Sequence, residues 1–487
     1  MEPGNFPLDE FPTWCTQNGV YLNNVQVALV DIDERGNGLI TTDEIVSRED
    51  DLEPITLMRV PRELILSSKS IDEFALEHRY FRQLLALFDD GSTRMKMLLF
   101  LLYQLVLSSY DHYGGILSPS THWTPPPPSP PGALPTDSPP WTPWTQYFSL
   151  LPSYVPAFSS FTKVAHSYLR GTSLESAVAA KMRALTREFE DIQKRLSSMP
   201  FWGPIVEDAL EFQDWCHVDA LFRSRSLELP NSGTSMVPCI DLVNHSSRAN
   251  AFYEQTSEGD MVLYLFKGCV LPAGSEITIN YGHEKSAAEM LYNYGFIDPD
   301  SPVRSMTILL RPQQDDPIGL IKFQLFSEAF NQYPKLKLYA EEGVVPHWTG
   351  PFLYFLCLNE EDGLQLIPQQ WPDGSQQWEV FWQGVNITGQ LDTLKDLIRD
   401  HESYQVFELR VCCAVLGFVQ RELDNLLSTR NGYSPSSRTE GDFYNGASRL
   451  KSLEADILRK CVQAFNEQVR LNFSVRLDRC LATRGRF

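Results

Sequence analysis

Two textures alternate along the chain. Between positions 20 and 66 apolar residues come in short runs divided by turn formers. Val27-Ala28-Leu29-Val30 and Leu57-Met58-Arg59-Val60 read as strands, with Gly36 and Gly38 punctuating between them. From Ser70 to about Asp111 the spacing becomes helical, with a long apolar face. Its most apolar run, Met97 to Leu107, is interrupted by Gln104 and falls short of the roughly 20 residues a bilayer span needs, so it predicts a buried helix. Helix is expected again from Tyr154 to Leu196, where Leu174 to Leu185 is rich in strong helix formers. Residues 236 to 296 return to strands and turns: Val262 to Phe266, a Pro272-Ala273-Gly274 turn, and Ile277 to Tyr281. Beyond Ser301 the pattern starts mixed and ends helical. Leu409, Cys413, Leu416, Leu423 and Leu427 mark one core-facing stripe, and Leu450, Leu453, Ile457, Cys461 and Phe465 another.

The alternation breaks once. Between Pro119 and Pro143 lie eleven of the 33 prolines. Proline lacks an N–H and fixes φ, so this stretch reads as a polyproline-like surface insertion. It is either a tolerated loop or a docking segment for an aromatic-grooved adaptor module.

Composition narrows the function classes. A chain of 487 residues suggests about three domains, and 43% hydrophobic with 21% charged residues supports a large core. The balance of 41 basic against 62 acidic residues gives −21. That field repels nucleic-acid phosphates and anionic lipid and favours basic protein partners. Nine cysteines with no C-x-x-C spacing argue against a disulfide framework or a structural zinc site. With an acidic, proline-containing N-terminus and no secretory pattern, the expectation is a soluble protein of the cytoplasm, the nucleus or both, with no membrane partner.

Three separated segments carry the chemistry. In Arg35-Gly36-Asn37-Gly38-Leu39-Ile40 two glycines permit a tight turn and close approach of backbone amides to a ligand, although alone the pattern is weak and a plain β-turn explains it better. Met236 to Ser246 ends an apolar strand in an Asp241/Asn244/His245/Ser246 cluster, suited to a polar ligand or to capping a turn; no second His or Cys stands at metal-ligand spacing. Gly274 to Gly282 ends a strand in Tyr281-Gly282, and Glu289 to Phe296 follows with Tyr294-Gly295-Phe296. The tyrosines are core aromatics or site residues.

Asp-Leu-Val-Asn-His-Ser, then Gly-Ser-Glu-Ile-Thr-Ile-Asn-Tyr-Gly, then Tyr-Gly-Phe resembles the SET-domain methyltransferases, in the branch typified by the Rubisco large-subunit lysine methyltransferase. The resemblance covers nearly the whole chain except the proline insertion. It implies an α+β fold: a SET-domain β-fold interrupted by a helical insertion and followed by an all-helical C-terminal domain. The expected limits are 1–110 for the N-terminal SET part, 111–149 for the Pro-rich insertion, 150–222 for the helical insertion, 223–300 for the C-terminal SET part, and 301–487 for a helical substrate-binding domain.

By the same resemblance, Asn37, Gly38 and Leu39 would contact S-adenosyl-L-methionine largely through the backbone. Asn244 and His245 would bind its adenine side, and Arg225 would line both cofactor and substrate. Asp241 would lie near the target side chain, Tyr281 would be the catalytic tyrosine, and Tyr294 would wall the lysine channel. The implied activity is a protein-lysine N-methyltransferase acting on a non-histone protein, ribosomal or translational in some relatives. Protein-histidine methylation and a silent SET-fold scaffold are the alternatives; a monomer is the default state. Two departures stand out. Ala287 replaces the Asn or Asp usual in the family, and no Cys-rich post-SET motif is present, so no metal is expected.

Overall fold

The computed structural model describes residues 7–31, 36–88, 90–109, 142–157, 166–312, 316–370, 376–429, 435 and 437–484. Arg35 and the proline-rich segment up to 141, with the adaptor docking expected of it, lie outside them. The chain divides into two compact units. The first is Met1–Phe161, Val178–His283 and Leu291–Asp300; the second is Thr162–Ala177, Glu284–Met290 and Ser301–Phe487.

In the first unit, strands β1 (Tyr21–Leu22), β2 (Val25–Asp31), β3 (Gly36–Thr41), β4 (Ile45–Val46) and β5 (Thr56–Val60) precede the helices. After these come β6 (Ser226–Leu229), β7 (Gly233–Met236), β8 (Asn244–His245), β9 (Ala251–Gln255), β10 (Met261–Leu265), β11 (Val270–Leu271) and β12 (Glu276–Ile279). They form short sheets of order β1-β5-β10-β9, β2-β3-β12-β8, β11-β4 and β6-β7. Strand β10 sits between two neighbours, and four of its five side chains are buried, which is why it reads as a nearly unbroken apolar run.

The helix Thr93–Ser108 is buried at every position from Met97 on. A helix apolar all round must be enclosed by its own domain or by lipid. Here Tyr103 and Phe100 meet Trp202, Phe81 and Trp144 in the core. No helix among the described residues is long and apolar enough to cross a membrane. The last proline of the insertion, Pro143, opens the helix Pro143–Leu150, where the missing N–H is harmless, and the Thr142 hydroxyl caps it by accepting from the Thr145 N–H. Of the helix expected over 154–196, residues 154–157 are not helical and 158–165 lie outside the described residues; after a 3-10 turn at Ser167–Leu169 a helix runs over Leu174–Leu196.

The second unit corrects the expectation of an all-helical C-terminal domain. It contains a sheet of β13 (Ser305–Leu309), β14 (Lys335–Tyr339) and β15 (His347–Thr349), and another of β16 (Leu364–Gln370), β17 (Gln376–Trp382) and β18 (Val385–Asn386). The cause is period-two patterning: in Lys335-Leu336-Lys337-Leu338-Tyr339 both leucines are fully buried and the residues between them are not. The helical end is present as Tyr404–Ser428 packed on Arg438–Arg484. One stripe also shifts. Cys413 and Leu427 are exposed, and the buried face runs through Phe407, Val411, Cys412, Val415, Val419, Leu423 and Leu426. In the second stripe Leu450, Ile457, Cys461 and Phe465 are buried, as expected.

Candidate active site

Strand β12 gathers the three separated segments. It pairs antiparallel with β3 (Ile277 opposite Leu39) and parallel with β8 (Thr278 opposite Asn244, Ile279 opposite His245). The glycine-containing segment is therefore not a free turn: Gly36, Asn37, Gly38 and Leu39 start a strand, with Gly38 opposite Ala28 and Leu39 fully buried.

Gly38 is required by what lies over it. A Cβ at this position would stand 2.5 Å from Val30 Cγ2 and 2.7 Å from Asn244 Nδ2. The Asn244 amide occupies that space because it donates to Glu276 Oε1 at 2.9 Å. Asn250 fastens the same strand, donating to the Glu276 carbonyl and accepting from the Thr278 N–H, both at 2.9 Å. Its amide takes the place of a neighbouring strand.

His245 and Tyr281 are locked together. The Tyr281 N–H donates to His245 Nδ1 at 3.1 Å, so the imidazole carries its proton on Nε2, which lies 3.2 Å from Asp298 Oδ2. Burial works against charge on Asp298, yet donation from Ser247 and the Asp300 N–H, with the imidazole beside it, holds its carboxyl below the usual range.

The Tyr281 hydroxyl donates to the Val243 carbonyl at 2.9 Å. The Tyr294 ring lies 4.6 Å from that of Tyr281, and His245 stands 5.1 Å from Tyr281 and 5.9 Å from Phe296. Burial pushes the Tyr281 phenol well above its ordinary value, with Arg225 pulling weakly the other way, and pushes Tyr294 up to about 12. Both phenols therefore keep their protons at neutral pH. Tyr294 sits where it does because Gly295, at φ +83°, lets the chain turn against Pro156, whose carbonyl oxygen a Cβ would meet at 2.1 Å. At the start of the same helix, Ala287–Tyr294, Ser286 and Glu289 exchange hydrogen bonds, which supplies the cap next to the unusual Ala287.

Arg225 ends the helix Phe212–Arg225, and its Nη1 donates to the Asp241 carbonyl at 2.5 Å. The same nitrogen stands 3.4 Å from Asp241 Oδ2. The Asp241 side chain is fully buried and its partners are Arg225 and Tyr147, so its described contacts are with the guanidinium and a phenol rather than with an open channel. Among the described residues the buried Arg225 Nε has no hydrogen-bond partner.

Asn37, Gly38, Leu39, Arg225, Asp241, Asn244, His245, Tyr281 and Tyr294 all fall in the first unit. Several partners were not singled out. Glu276 was visible within Gly-Ser-Glu-Ile, but nothing marked its bond to Asn244. Asp298 follows Tyr-Gly-Phe at two residues' distance. Tyr253, on β9, lies close enough to Tyr294 for their charges to interact, and burial raises its pKa. Tyr147 bonds Asp241 across 94 residues of sequence, a pairing no local pattern shows. Among the described residues no group of three or more metal-binding side chains occurs.

No family model matches the chain. SET domain-containing protein 8 of Schizosaccharomyces pombe is 27% identical over 422 residues, 85% of either chain. The Rubisco large-subunit N-methyltransferase of Nicotiana tabacum is 27% identical over 185 residues, 36% of this chain and 37% of that protein. The solved structure of Rubisco LSMT bound to AdoMet superposes with a TM-score of 0.61 over 96% of this chain and 92% of that one, at 17% identity. In sequence the chain is similar to a SET domain-containing protein and to the Rubisco large-subunit methyltransferases, and it shares the fold of the latter's SET-domain structure.

Proposed function

We propose that this chain is an S-adenosyl-L-methionine-dependent protein-lysine N-methyltransferase whose substrate is a non-histone protein with a basic surface, a ribosomal or translational component being the leading class. The observation that carries the reading is the convergence of Gly38, Asn244 and His245 on one sheet with Tyr281 at its edge, the Tyr294 ring packed at a tilt against Tyr281. Relatives named as lysine methyltransferases support it, among them the N-lysine methyltransferase setd6 of Salmo salar, 23% identical over 61% of this chain.

The residues fit the cofactor on the evidence of Arg225, whose buried Nε has no partner among the described residues and suits an anionic or carbonyl acceptor. Asn37, Gly38 and Leu39 would present backbone groups to it, with Asn244 and His245 holding its adenine side. When bound, S-adenosylmethionine supplies an electrophilic methyl group on a cationic sulfur.

The protein's part is position and desolvation. A lysine amine attacks only as the free base, and its ordinary pKa is about 10.4. An aromatic wall of Tyr281 and Tyr294 excludes water and disfavours the ammonium form. Tyr281 cannot serve as the base, because burial raises its own pKa. Its proton is committed to the Val243 carbonyl, so toward the amine or a methyl C–H the phenolic oxygen can act only as an acceptor. The −21 net charge speeds encounter with a basic target.

The test is labelled S-adenosylmethionine with a hypomethylated lysate, beside the Tyr281→Phe variant. Wild type should label a band whose hydrolysate contains methyllysine. The variant should lose on the order of 10²-fold in rate with cofactor affinity kept, as when one positioned hydroxyl is removed from a transition state. Absence of both labelling and cofactor binding would leave a scaffold.

A further inference from the structure

The site contains one strained residue, and the side chain that holds it lies on the helix following the proline-rich segment. Cys239 has φ 70° and ψ −41°, a conformation strained for a non-glycine residue that survives only where its surroundings fix it. The fixing contact is with Tyr147: the Cys239 N–H donates to the Tyr147 hydroxyl at 2.8 Å. The same hydroxyl donates its own proton to Asp241 Oδ1. One phenol therefore uses both its donor and an acceptor position, on a strained backbone and on a buried carboxylate two residues further on.

Tyr147 is itself immobilised. It is 1% exposed, with the Trp14 ring at 5.2 Å and the Trp144 ring at 5.6 Å. Downstream, the Asp241 carboxylate and carbonyl both face Arg225 Nη1, of the guanidinium whose buried Nε has no partner among the described residues. The turn that begins at Cys239 also leads directly into Asn244 and His245 of β8.

We propose that Tyr147 is a positioning residue of the cofactor site: its hydroxyl orients the Asp241 carboxylate and the Cys239 turn, and through them the Arg225 guanidinium. This rests on the function proposed above. The ligand class is unchanged; what is new is a residue distant in sequence that sets affinity for it. Removing the hydroxyl leaves the Asp241 carboxylate with Arg225 among its described partners and takes away the acceptor of the Cys239 N–H. Arg225 then loses its fixed partner, and cofactor binding should weaken more than the rate at saturating cofactor.

The experiment titrates S-adenosylmethionine into wild type, Tyr147→Phe, Asp241→Asn and the double variant by calorimetry. Methyl transfer at saturating cofactor is measured beside it. Tyr147→Phe should weaken binding about tenfold or more, the scale of a hydrogen bond to a charged group, with a smaller change in saturated rate. Asp241→Asn should do the same, and the double variant should be no worse than the more damaged single one. Wild-type affinity in folded Tyr147→Phe, or losses that add in the double variant, would overturn the proposal. If Tyr147→Phe does not fold, Asp241→Asn decides alone, since full affinity there removes the link to Arg225. Failure of wild type to bind the cofactor is a different result, and it sinks the methyltransferase reading instead.

Discussion

Asp219 in the first unit and Glu454 in the second are both buried carboxylates, and their surroundings drive them in opposite directions. Asp219 accepts from Arg94, Lys181 and Arg223 at 2.7, 2.7 and 2.8 Å. Burial alone would raise its pKa, but the three cations hold it below the ordinary carboxylate value. Among the described residues Glu454 accepts from the Ser173 hydroxyl and N–H and has no cation beside it, and burial pushes it up to about 7. Hydrogen bonds from neutral groups help the carboxylate but do not replace its hydration; opposite charges do. The benefit in the Asp219 cluster is uneven. Lys181, crowded by Arg94 and Arg223, is lowered by burial first and by their repulsion as well, so the strain of the cluster falls on the lysine.

The sharpest way to break this contrast is Asp219→Ala. Arg94 keeps Glu188, and Arg223 keeps the Tyr292 carbonyl, but Lys181 loses the anion that compensates its burial. A stability loss of about 3–5 kcal/mol is expected, as for removal of one member of a buried ion network. Urea unfolding followed by Trp fluorescence would measure it. The sign with pH follows from the lowered pKa: this stability is complete above the unfolded value near 3.8 and disappears only as pH falls through the lower folded value. Wild type should therefore show no loss from this cluster between pH 5 and 8. A loss under 1 kcal/mol in the variant would show that the cations are satisfied elsewhere.

The same contrast explains what could be read from the sequence. Segments with local chemistry were legible: Asn244-His245 forms β8 beside β12, Tyr281 follows β12 directly, and Tyr294 ends a short helix with its ring against Tyr281, so each short motif carries both its pattern and its site residue. Asp219 and Tyr147 were not. Asp219 lies inside a helix and gathers cations from positions 94 and 181, so only the tertiary fold makes it a centre. Tyr147 looked like one aromatic among many beside the prolines. The C-terminal sheets are a different failure, since the alternation in Lys335 to Tyr339 was present and outweighed by the helical end of the chain. The displaced stripe on the helix Tyr404–Ser428 arose from following leucines and passing over Val411, Val415 and Val419.

Glu454→Gln should produce the next largest effect, visible mainly as a lost pH dependence. A raised folded pKa means the native state holds the proton more tightly. Its stability contribution is complete below the unfolded value near 4.5 and is lost as pH rises through about 7. Glu422, itself raised by burial, adds like-charge repulsion from the facing helix. Wild type should therefore lose stability between pH 5 and 8 by on the order of 2–3 kcal/mol. The glutamine variant, which keeps an acceptor for Ser173, should be flat over that range and more stable than wild type at pH 8. Thermal melts at four pH values would show it. Parallel slopes for the two proteins would mean that Glu454 stays ionised.

The smallest effect separates the two contributions to Glu454. Ser173→Ala removes the hydroxyl donor but keeps the N–H, which reaches Oε2 at 3.1 Å. The hydroxyl lowers the carboxyl's pKa, so its loss should shift the pH midpoint of stability further upward and cost about 1 kcal/mol at pH 8, where the carboxylate is charged. At pH 5 the carboxyl is already neutral and the loss should be smaller. In a Glu454→Gln background the same substitution should lose its pH dependence altogether, because no charge remains for the hydroxyl to stabilise. Equal losses at pH 5 and pH 8 in the wild-type background would mean that Ser173 merely fills space. The contrast with Asp219 would then rest on burial alone.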